Sequence, residues 1–65
     1  MIKYLLLYEP ENIPLKNQDD KLIASMSSTL KIALWDSYDE AETAKNNTEL
    51  HPYNISDLKV IAGDV

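Results

Sequence analysis

The chain has 65 residues, enough for one domain, and at that size roughly 60% of the unfolded surface is buried on folding, so the core is small. The absence of cysteine and the presence of one histidine, His51, exclude disulfides, thiolate metal centres and any multi-histidine zinc site. A net charge of −5 with no arginine is a poor match to phosphate backbones or anionic membranes, so neither direct nucleic-acid binding nor membrane binding is expected.

Residues 2–8 read as a strand, with Ile2, Tyr4, Leu6 and Tyr8 on one face and Lys3, Leu5, Leu7 and the following Glu9 on the other. Both faces are apolar in the middle, the pattern of a central strand or of one covered on both sides. The short apolar run stops at Glu9-Pro10, which fits neither a signal peptide nor a membrane span, and the default location is the cytoplasm. Pro10 and Pro14 are expected to end the strand, since proline gives no N–H to a ladder, and residues 10–20 to form a polar loop.

Residues 21–26 fit either a strand or the start of a helix, and the strand is preferred because the serines and threonine of 25–29 compete with a helix for backbone hydrogen bonds. Residues 30–35 alternate as a further strand, Leu30, Ile32 and Leu34 against Lys31, Ala33 and Trp35. Ser37-x-x-Glu40 is a capping box, and Asp39, Glu40 and Glu42 suit the positive first turns of a helix beginning at Tyr38. Its inner face is expected to be Tyr38, Ala41, Ala44 and Thr48, with an end near Asn46 or Asn47. Residues 57–65 read as a last strand, either parallel to the strand at 30–35 or separated from it by the first strand. The fold class is therefore α+β, a three- or four-stranded sheet with one short helix on one face.

The chemistry-bearing residues are few. His51 with Glu49 nearby has the makings of a base and its orienter, but the expectation is an exposed histidine in a pre-proline loop. Asp36, Asp39 and Glu40 offer hard oxygens to Ca²⁺ or Mg²⁺, yet helix capping already accounts for them and the calcium-loop spacing is missing. With one glycine there is no phosphate cradle. No enzyme activity, cofactor or metal is expected.

What remains is surface. Residues 1–35 balance four acids (Glu9, Glu11, Asp19, Asp20) with four lysines (Lys3, Lys16, Lys21, Lys31), whereas residues 36–57 set six acids (Asp36, Asp39, Glu40, Glu42, Glu49, Asp57) against Lys45 alone. Asp36, Asp39, Glu40, Glu42 and Glu49, with Trp35 beside them, form a candidate docking surface for a basic, nucleic-acid-binding groove of a larger host protein. The other candidate is a sheet face bearing Leu5, Leu7, Ala33 and Trp35, which is either roofed by Ile13 and Leu15 of the 10–20 loop or left open as a homodimer or partner interface.

At residues 30–62 the succession of a strand, Asp36-Ser37-Tyr38-Asp39-Glu40-Ala41-Glu42-Thr43-Ala44 and a strand resembles a pattern found in several very small phage proteins that inhibit host enzymes, including inhibitors of bacterial RNA polymerase and of CRISPR complexes. The resemblance covers half the chain and transfers no functional residue. It implies a stoichiometric inhibitor, so the expected function is a non-enzymatic protein-binding module, with a structural subunit or homodimer as the alternative.

Overall fold

The strand expected at the start of the chain is β1 (Ile2–Tyr8), and a computed structural model, which describes residues 1–64, places it inside a sheet. Around it lie β2 (Ile13–Gln18), β3 (Lys21–Ala24), one helix α1 (Tyr38–Asn46) and β4 (Leu58–Asp64), the last preceded by a single 3₁₀ turn at Ile55–Asp57. The strands form a four-stranded antiparallel sheet in the order β3-β2-β1-β4, a small α+β fold. Val65, the end of the expected last strand, lies outside the described residues.

The expected loop at 10–20 is instead β2, and Leu15 in it is 0% exposed. Proline is tolerated there for a geometric reason. Leu15 and Asn17 direct their backbone groups toward residues 31–33, since the Leu15 C=O accepts the Ala33 N–H and the Asn17 N–H donates to the Lys31 C=O. By alternation Pro14 faces the β3 side, and β3 ends at Ala24, opposite Leu15. The missing N–H of Pro14 therefore points past the last residue of β3, where no ladder bond is lost. Residues 19 and 20 close the β2–β3 hairpin with positive φ at both Asp19 (49°) and Asp20 (65°). That is the two-residue primed turn whose twist suits paired strands, built here from aspartates rather than the usual Asn-Gly.

Residues 30–35 were expected to be a strand and are not one. They form two isolated antiparallel bridges, Ile32 with Lys16 and Trp35 with Tyr4. β1 and β2 pair only at Leu7–Pro14 and Tyr8–Ile13 and then diverge; residues 31–35 fill the resulting fork, bonded to β2 on one side and to β1 on the other. Tyr4 and Trp35 exchange both backbone bonds, at 2.8 and 2.9 Å. This segment and β4 lie on opposite edges of β1, which is the second of the two arrangements expected for the crossover.

Helix α1 begins at the expected residue because the Ser37 hydroxyl accepts the Glu40 N–H at 3.2 Å. The Glu40 carboxylate returns to the Asp36 N–H rather than to Ser37. Ala41 and Ala44 are buried as expected, and their small side chains let the helix lie close over β1 and β4. Tyr38 and Thr48, assigned to the same inner face, are exposed. Tyr38 instead meets Tyr4 edge-on at a centroid separation of 6.2 Å. The core gathers Leu6, Leu15, Leu22, Ala33, Ala44 and Leu58, closed over β2 and β3 by Leu50 and Tyr53.

His51 sits in the expected loop before Pro52 but overturns the expected exposure: it is 3% exposed. Its Nε2 lies 2.7 Å from the Lys45 carbonyl in the last turn of α1, and its Nδ1 accepts the Tyr53 N–H at 3.2 Å. With Nδ1 an acceptor, Nε2 carries the hydrogen and donates it, so both ring nitrogens are committed to backbone groups. The ring locks the end of the helix to the segment whose Tyr53 hydroxyl accepts the Ala24 N–H of β3.

Candidate partner-binding surfaces

The capped start of α1 and the bridge at Trp35 converge. Because Trp35 is pinned to β1 just two residues before the cap, its indole lies beside the first turns of the helix. Together they line an open groove of about 440 Å³, with Trp35, Ala44 and Leu50 supplying apolar surface and Asp39, Glu40 and Asn47 supplying polar groups. The structure thus brings together three of the expected site residues, Trp35, Asp39 and Glu40.

The remaining acids divide. Asp36 pairs with Lys3 across the sheet. Glu42 pairs with Lys45 at 2.8 Å, three residues along the helix. The Lys45 ammonium holds the Glu42 carboxyl below its ordinary value, with partial desolvation pushing the other way. Oε2 of Glu42 is covered and has no hydrogen-bond partner among the described residues. Glu49 sits apart, in a second groove of about 360 Å³ lined by Lys21, Ile23 and His51 among others. Its backbone carbonyl accepts the Lys21 ammonium, while its carboxylate makes no ion pair among the described residues. Among the described residues no group of three or more His, Asp or Glu side chains is placed to hold a metal ion. Among the described residues no helix is long and apolar enough to cross a membrane.

The second expected surface does not exist as drawn. Bridge partners share a face, so Leu5 and Leu7 lie with Ile32 and Leu34, while Ala33 and Trp35 turn to the core with Tyr4 and Leu6. Ala33 is 2% exposed, whereas Ile32 and Leu34 are 41% and 42% exposed. Nor do Ile13 and Leu15 roof the sheet, because β2 is part of it. The face away from the helix is open; it carries Leu5 and Leu7 as expected, with Ile32 and Leu34 in place of Ala33 and Trp35. The alternation of 30–35 was readable; which side faced inward was not, because both sides carry apolar residues.

Comparison with protein-family models, curated proteins and solved structures finds no match.

Proposed function

We propose that this chain is a non-enzymatic protein-binding module, an inhibitor or modulator of the phage type, that receives a basic surface of a larger protein in the Trp35 groove. The observation that carries the reading is that Trp35, Asp39 and Glu40 line one open, mainly apolar groove. A lysine or arginine entering it gains a π face and carboxylate oxygens at once, and half-buried aromatics with Arg partners dominate interface energetics. Of the acids there, Asp39 makes no ion pair among the described residues, so its charge is available to a partner. The surplus negative charge of 36–57 would steer encounter, a contribution that salt screens.

Trp35 is the single tryptophan and reports directly on occupancy of the groove. Titration with a short Arg/Gly peptide is expected to shift its emission saturably, to weaken between low and physiological salt, and to lose about tenfold in affinity on Asp39→Lys, equivalent to about 1.4 kcal/mol. Equal affinity for the wild-type and Asp39→Lys proteins would remove the groove from the function.

A further inference from the structure

The face of the sheet away from α1 is both apolar and positively charged, in a protein whose net charge is −5. Reading the register across the strands, its apolar positions are Leu5, Leu7, Ile23, Ile32, Leu34 and Ile61. Lys3, Lys16 and Lys59 stand on the same face, with Lys21 at the β3 margin, so four of the six lysines are on this side. No strand position of the face carries an acid; Glu9 and Glu11, and Asp19 and Asp20, sit in the two hairpin turns. Lys3 is paired with Asp36, but Lys16 and Lys21 donate to backbone carbonyls, which leaves their charge uncancelled. Lys59 has no ion pair among the described residues.

Two physical arguments fix what belongs there. Strands apolar on both faces are those of sheets covered on both faces, and here α1 covers only one. A second copy laid face to face about a two-fold axis would set lysines against lysines, because an isologous contact repeats one patch on both sides. The cover must therefore bring aliphatic side chains and negative charge together.

We infer that this open face docks an amphipathic helix of a partner protein whose apolar stripe is flanked by Asp and Glu. A helix about 10 Å across spans about two strands at their spacing of about 4.8 Å, enough to lie over the Leu5, Ile32 and Leu34 region with its acidic flanks toward Lys16 and Lys59. The lysine stems extend the apolar floor while their ammonium groups stay at the rim. This surface is separate from the Trp35 groove and stands or falls independently of it.

The test sets local charge against net charge. Two labelled helical peptides with the same leucine stripe, one flanked by Glu and one by Lys, are titrated against the full chain by fluorescence anisotropy. The Glu peptide is expected to bind despite the net charge of −5, and to lose at least tenfold in affinity on Lys16→Glu/Lys59→Glu and on Leu34→Ser, while Asp39→Lys leaves it unchanged. Circular dichroism confirms that each variant is folded; Ile32→Ser serves in its place if Leu34→Ser is not. Absence of Glu-peptide binding, or binding indifferent to these substitutions, overturns the proposal. So does a sedimentation result in which the chain is a dimer through this face, or capture by phosphatidylglycerol vesicles in place of the Glu peptide.

Discussion

Replacing Leu15 by alanine tests whether this residue belongs to the core. Leu15 is 0% exposed and belongs to the same cluster as Leu6, Leu22 and Leu58. Buried Leu→Ala changes cost about 2–5 kcal/mol, the transfer of the side chain plus the cavity it leaves. At about 0.05–0.15 kcal/mol per residue, a chain of this length holds about 3–10 kcal/mol in total, so Leu15→Ala removes a large part of it. Urea unfolding followed by Trp35 emission is expected to show a lower midpoint at an unchanged slope, and thermal unfolding a fall of about 4–8 °C for each kcal/mol. Ile32→Ala is the control, since Ile32 is 41% exposed on the open face and such surface changes stay within about 0.5 kcal/mol. If the two variants unfold alike, Leu15 is not buried in the core as β2 places it.

His51→Ala strands the Lys45 carbonyl and the Tyr53 N–H together, and is expected to cost about 1–3 kcal/mol for each group left buried without a partner, measured by the same urea titration. Asp19→Asn/Asp20→Gly supplies residues that accept positive φ at the β2–β3 turn; a gain of about 1 kcal/mol in stability is expected, and a loss would contradict the primed turn. The lowered Glu42 carboxyl means that the unfolded chain binds more protons in the acid range. Its contribution is present above the ordinary glutamate pKa and disappears as pH falls through the lower folded value, so Glu42→Gln should lower the neutral plateau of a stability–pH profile and flatten its acid limb, the two proteins converging at low pH.

The parts of the fold legible in the sequence are those with local causes. Ser37 and Glu40 mark the start of α1 to the residue, because capping is decided within four positions. β1, β3 and β4 follow from alternation. What could not be read depends on distant neighbours. Pro14 fits in β2 only because β3 stops at Ala24, and residues 31–35 are irregular only because two strands already occupy their flanks. His51 looked exposed beside Pro52, and nothing nearby in sequence announced that the helix end would need its ring. For the candidate sites, Trp35, Asp39 and Glu40 were readable as neighbours of one cap, while Ala44, Asn47 and Leu50 of the same groove were passed over. The lysines of the open face had a visible signal: Lys3 alternates with Leu5 and Leu7, and Lys59 with Ile61 on one side of the last strand.

The fork between β1 and β2 carries a kinetic consequence. These strands are joined by a short turn, so they meet early in folding, yet only Leu7–Pro14 and Tyr8–Ile13 pair in the finished sheet. Closing the hairpin further would shut out residues 31–35, so complete zippering leads off the productive route. The amides of Tyr4, Asn17, Ala33 and Trp35 are bonded only once that later segment has arrived. In amide hydrogen exchange they are expected to behave as one cooperative unit, protected together and released together, whose opening separates β1 with β4 from the β2–β3 hairpin.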